Sequence, residues 1–131
     1  MEVSGPALAA AIVASLLLAA LAVVQIGVAA GKPWGRLVWG GRHRVLPTRL
    51  RVASAVSVVA YAGFAAVLLS RAGALPASGT AFVVVTTWVL VGYFALGIVM
   101  NLASRSIAER RTMAPACTVL TAAALVVALA P

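Results

Sequence analysis

Few side chains in this 131-residue chain could carry acid–base or nucleophilic chemistry. It contains one histidine (His43), one cysteine (Cys117) and two acids (Glu2 and Glu109). An imidazole with an unperturbed pKa near 6.5 can serve as acid or base. His43, however, stands among Arg42, Arg44 and Arg49 with no carboxylate nearby in sequence to orient its ring, and it reads as a loop residue. One histidine and one distant cysteine fall short of the ligand set of a zinc site, so neither metal nor other cofactor is expected. Cys117 reads as a small packing residue. A nucleophilic role would need an electropositive, accessible niche, and Arg110 and Arg111 are the neighbours that could supply one. Glu109 completes a capping box, Ser106-Ile107-Ala108-Glu109, which predicts a helical turn starting at Ser106. Its carboxylate is expected to pair with an arginine of the first loop and tie two loops together. A proton-coupling acid, by contrast, normally lies within a membrane span.

The remaining chemistry-bearing positions lie in apolar surroundings. Tyr61 and Tyr93 fall near the middle of long apolar runs, whereas membrane tyrosines favour the interfaces. A phenol at that depth needs a hydrogen-bond partner. Ser57, Thr86 and Thr121 lie at compatible depths, as does each tyrosine for the other. Midplane polar groups are where transporter solute sites tend to be built. Tyr61, Tyr93, Ser57, Thr86 and Thr121 are therefore the candidate pathway for a neutral or lipid-like solute.

The elements that must position these groups follow from composition. The chain is 64% hydrophobic and 9% charged, with a mean hydropathy of +1.14. A soluble domain carries about 25% charged residues. A soluble enzyme and a disordered tail are excluded, and a single cysteine excludes a disulfide scaffold. A span needs about 20 apolar residues for a hydrocarbon core of about 30 Å. Four stretches qualify, near residues 6–30, 52–70, 81–102 and 114–130, the last with Pro115 in its first turn, where a missing N–H costs little. The runs lack the alternation of barrel strands. The expected fold is an all-α four-helix transmembrane bundle forming one domain. The first segment reads as a retained span and not a signal peptide, because no Lys or Arg precedes Lys32. Each span carries one stripe of small or weakly polar residues expected to face the bundle core. In the first these are Ser15, Leu18, Ala22, Gln25 and Ala29; in the second, Ser54, Ser57, Tyr61 and Ala65. The third has Thr86, Tyr93, Gly97 and Asn101, and the fourth Ala114, Thr118, Thr121 and Ala128.

Cations set the orientation. The loop at 31–51 holds Lys32, Arg36, Arg42, Arg44, Arg49 and Arg51, and the loop at 103–113 holds Arg105, Arg110 and Arg111. The middle loop holds only Arg71. The positive-inside rule places the two basic loops in the cytoplasm and both termini outside. The net charge of +8 is explained by this topology, and without a stacking platform or a groove-reading helix nucleic acid is not an expected partner. Anionic lipid headgroups are, since each basic residue at a membrane surface is worth about 1 kcal/mol toward them. In the first loop, Gly40-Gly41 between two apolar runs has the form of a two-residue hairpin turn. Trp34 and Trp39 suit the headgroup level, and Pro33 and Pro47 close the element.

Small multidrug transporters and small fluoride channels share this size, but the chain lacks the first-span carboxylate of the former and the Asn and Phe motifs of the latter. The pattern Gly31-Lys32-Pro33-Trp34-Gly35, Trp39-Gly40-Gly41, Leu46-Pro47, with Asn101, Ser104-Arg105-Ser106 and Glu109-Arg110, resembles small four-span integral membrane proteins of high-GC bacteria. That resemblance implies an architecture and a plasma-membrane location, and no activity. The function expected is non-enzymatic, structural or accessory, with basic cytoplasmic loops on anionic lipid or a partner, in a homo-oligomer or larger complex. The alternative is a transporter or channel for a neutral or lipid-like solute. A headgroup enzyme using His43 and Glu109 as an acid–base pair would have unusually few catalytic groups.

Overall fold

The computed structural model describes residues 5–131. Met1, Glu2, Val3 and Ser4, where the sequence was read for a basic leader, lie outside the described residues. The described residues form four α-helices: α1 (Gly5–Ala29), α2 (Thr48–Arg71), α3 (Ala81–Leu102) and α4 (Ile107–Ala128). At 1.5 Å per residue they are about 33–37 Å long, enough to cross a core of about 30 Å. All four are long and apolar enough to span a membrane. Their outer faces carry large apolar side chains, Val59 at 73% and Phe82 at 72% exposure among them. Water would not tolerate a continuous surface of this kind, whereas lipid solvates it.

The helices form a ring with one weak joint. Helix α1 lies between α2 and α4, α3 packs along α4, and α2 and α3 touch only sparingly. The main core occupies the half of the bundle away from the basic loops. There Ala7, Ala11 and Ala14 of α1 and Ala123 and Ala124 of α4 are buried together with Leu68, Leu90 and Leu120. Association in lipid draws on close packing and not on water exclusion, and alanine lets helix backbones approach. Arg71, at the end of α2, donates to the Ala130 carbonyl at 2.7 Å and fastens this end to the terminus of α4.

Three local expectations are corrected. The third span matches its expected bounds, but its buried face is Val83, Thr87, Leu90 and Phe94. The face is therefore rotated by one position from the expected stripe, and Tyr93 is 55% exposed. Both faces of a membrane helix meet apolar surroundings, so bulk and fit choose the inward side. Nor do the hydroxyls of these stripes serve the tyrosines. Ser57, Thr87, Thr118 and Thr121 each donate to the carbonyl four residues back in their own helix, the back-bonding open to Ser and Thr. Thr118 is moreover exposed. Finally, the fourth helix starts at Ile107, so Pro115 is inside it and not in its first turn. Half of the expected capping box starts the helix early: Ser106 Oγ accepts from the Glu109 N–H at 3.3 Å, while the Ser106 N–H donates to Ser104 Oγ at 3.1 Å and not to the Glu109 carboxylate.

The hairpin expected in loop one is absent: no strand is present among the described residues, and the loop forms two short 3-10 turns, Gly35–Leu37 and Trp39–Gly41. Trp39, Gly40 and Gly41 all have positive φ, of 53°, 78° and 69°. A two-residue turn needs positive φ at its two central positions only, and the extra left-handed residue turns the flanks away from a ladder. Gly35 N–H to the Arg44 carbonyl, 2.9 Å, is the contact across them. Tertiary packing pins this shape. Val38 and Leu46 are buried with Val28 of α1 in a second small core, and a Cβ on Gly41 would lie 2.3 Å from Ser106 Cβ. Ser106 Oγ in turn donates to the Arg36 carbonyl. Ser106→Ala should therefore cost about 1–2 kcal/mol, read as a lowered unfolding midpoint in detergent. Ser106→Asp keeps the cap but cannot donate to Arg36, and is expected to recover only part of the loss. Full recovery would show that the loop contact contributes nothing.

Candidate functional site

The weak joint between α2 and α3 opens into a cleft of about 340 Å³ on the side of the basic loops. That is the small end of the range for ligand pockets, about 300–1,000 Å³. Away from the loops the gap is closed by rings. Phe64 of α2 meets Tyr93 and Phe94 of α3 with centroids 5.4 and 5.9 Å away, and Tyr61 lies 6.2 Å from Phe64. Along α4 the lining runs from Glu109 to Leu120, about eleven residues or about 16 Å, half of the hydrocarbon thickness. The cleft is thus a blind recess, about one leaflet deep.

Of the expected pathway residues, Tyr61, Tyr93 and Ser57 line this recess, while Thr86 and Thr121 lie outside its lining. The partner of Tyr61 is none of those expected. Gln25 of α1 reaches it, with Nε2 to Oη at 3.3 Å. Gln25 is only 8% exposed, and its other amide atom, Oε1, has no partner. Asn101, on the opposite wall, donates to the Gly97 carbonyl at 2.8 Å and to Cys117 Sγ at 3.4 Å. Cys117 therefore sits against an amide in the helix-packed wall, with Gly97 beside it. Gln25 and Asn101 were visible in the sequence as the lone amides of otherwise apolar spans. That they line one cavity is a result of the helix order.

Above the recess lies a wider vestibule of about 760 Å³, with Arg42, His43, Arg49 and Arg105 in its wall. Trp39, Met100, Asn101 and Glu109 line both spaces, so the two adjoin. Glu109 stands at the junction and is 5% exposed. It does tie the loops, but not through the expected ion pair. Its Oε2 accepts from the Gly40 backbone N–H at 3.3 Å, and no arginine pairs with it among the described residues. The positive φ at Gly40 turns that amide toward α4, while the nearby arginines remain outside. His43 is half-buried in the vestibule. It shares no hydrogen bond or ion pair with Glu109, as an acid–base dyad would require.

The ten expected contact residues divide into tethers and free groups. Trp34 lays its ring on Gly27 of α1. Trp39 donates its indole N–H to Ser54 of α2 at 2.8 Å, so both tryptophans brace the loop against the bundle. Arg51 caps α1 through the Ala29 carbonyl at 2.8 Å. Arg36 and Arg110 donate to the Gly41 and Ser104 carbonyls, at 2.9 and 3.3 Å, while staying exposed. Arg42, Arg44, Arg49, Arg105 and Arg111 are exposed, with their guanidinium groups unpaired among the described residues. Among the described residues no group of three or more His, Cys, Asp or Glu converges as a metal site would require. The arrangement can hold an amphiphile, with a cationic mouth, a carboxylate and amides below it, and an apolar blind end. No protein-family model, curated protein or solved structure matches this chain.

Proposed function

We propose that this four-span protein is a non-catalytic structural or accessory component of a bacterial inner membrane, whose basic end lies on the cytoplasmic side and binds anionic lipid headgroups. The observation that carries the reading is the uneven use of cations at the two ends. At the loop-one end, Lys32 and seven arginines are exposed around one buried carboxylate that pairs with none of them. At the other end the one Lys or Arg among the described residues, Arg71, is spent on the Ala130 carbonyl. Exposed, unpaired charge at a membrane surface attracts acidic headgroups at about 1 kcal/mol per residue. A homo-oligomer or a larger complex would be held through the apolar outer faces.

The test is native mass spectrometry of protein released from nanodiscs containing phosphatidylglycerol and phosphatidylcholine. Replacing Arg42, Arg44 and Arg49 together with glutamine removes about 3 kcal/mol of attraction, about a hundredfold in retention, without breaking any hydrogen bond described above. Retention by the unaltered protein should fall as salt approaches 1 M, where the screening length is about 3 Å. Phosphatidylglycerol retained equally by the triple variant, or unchanged by salt, would overturn the proposal. A second reading, uptake of a lipid-like solute, is favoured by the adjoining of vestibule and recess through shared lining residues.

A further inference from the structure

We infer that the vestibule and recess together form a site for one single-chain phospholipid, a monoacyl glycerophosphate with a free hydroxyl between chain and phosphate. The inference rests on the lipid-binding reading above and adds the class of lipid and its pose. What selects the class is the order of groups from the blind end outward. The rings of Tyr61 and Phe94 end the recess, the Tyr61 hydroxyl being taken up by Gln25. Next comes the junction, where the buried Glu109 accepts a single long amide hydrogen bond and Asn101 stands beside it. Last come Arg42, Arg49 and Arg105 at the mouth. A ligand that satisfies all three needs an alkyl chain, then a hydrogen-bond donor, then an anion.

A monoacyl glycerophosphate presents those groups in that sequence. Its chain occupies a recess one leaflet deep, its hydroxyl donates to the Glu109 carboxylate, and its phosphate meets the arginines, whose forked donors suit phosphate oxygens. A diacyl lipid carries esters at both glycerol positions and offers Glu109 no donor there. The remaining acceptor in the wall, Gln25 Oε1, is buried and unpartnered. The way in is lateral. Met100 and Leu96 of α3 line the recess and are 65% and 59% exposed, so the gap beside α2 faces the acyl chains of the surrounding leaflet. A freely diffusing phosphate would use the mouth alone and have no need of the recess.

The test is native mass spectrometry of the full chain in nanodiscs of phosphatidylcholine, titrated with oleoyl glycerophosphate or, separately, with oleyl phosphate, which lacks the hydroxyl. One oleoyl glycerophosphate should be retained per chain, at least tenfold more tightly than oleyl phosphate, because a hydrogen bond to a charged acceptor is lost. Arg42→Gln with Arg105→Gln should weaken both probes, and Glu109→Ala should erase the difference between them. Should Glu109→Ala fail to fold, the comparison of the two probes on the unaltered protein decides alone. Equal affinity for both, or no one-to-one species, overturns this inference. If phosphatidylglycerol retention remains salt-sensitive in that case, the general lipid reading stands and only the seated-lipid assignment fails.

Discussion

Gly35→Ala is expected to unseat loop one and to lower the unfolding free energy by about 3 kcal/mol, the upper part of the usual range for single substitutions. An added Cβ would lie 1.9 Å from the His43 carbonyl oxygen and 2.8 Å from that of Arg44. Both are backbone atoms, so no side chain can swing aside. The segment from His43 to Arg44 must move, breaking the Gly35 to Arg44 hydrogen bond and dragging Val38 and Leu46 from the small core beneath. Two other glycines calibrate the effect. Gly40 has φ of 78° but nothing within 4 Å of an added Cβ, so Gly40→Ala should cost only the left-handed backbone strain, about 1–2 kcal/mol. Gly63, in α2, has equally open space, and there alanine should stabilise by up to about 1 kcal/mol. Thermal unfolding in one detergent ranks the three. Equal midpoints for Gly35→Ala and Gly40→Ala would show that loop one is not seated on its return limb.

Phe94→Ala should have a comparable cost and a different consequence. Phe94 is buried; its ring meets Phe64 across the weak joint between α2 and α3 and Tyr93 beside it on α3. Truncating a buried phenylalanine in a soluble protein costs about 3–5 kcal/mol. The lower end, about 3 kcal/mol, is expected here, because helix association in lipid gains from packing and not from water exclusion. The cavity left behind joins the recess, which should then extend beyond midplane. Phe94→Leu restores most of the volume and should recover most of the stability without the edge-to-face contacts, worth about 0.5–1.5 kcal/mol. Unfolding midpoints in nanodiscs give the cost. Leu90→Cys, buried in the core beyond Phe94 and placed in a Cys117→Ser background so that the native thiol lining the recess is not labelled, reports the opening by its labelling rate with a membrane-permeant maleimide. Slow labelling in both backgrounds would show that these rings do not close the recess.

The sequence alone determined the number of spans, the bounds of the third helix, the start signal at Ser106 and the concentration of cations in two loops. Each of these depends on chain-local physics: a run of apolar residues long enough for the bilayer, a hydroxyl three residues before a free amide, a count of charges between spans. It also marked Gln25, Tyr61, Asn101 and Glu109 as unusual for where they stand. Tertiary structure decided how those residues combine. Gln25 rather than a hydroxyl serves Tyr61, because Ser57 and Thr121 bond their own helices. Gly40 rather than an arginine serves Glu109, because three consecutive left-handed residues aim that amide at α4. The inward face of α3 was open to error by one residue because lipid and core are equally apolar, and only the fit of Leu90 and Phe94 against α4 and α2 selects between them. The recess itself is legible in no single segment: it exists because α2 and α3, adjacent in sequence, pack least of the four neighbouring pairs around the ring, with aromatic rings joining them at mid-depth.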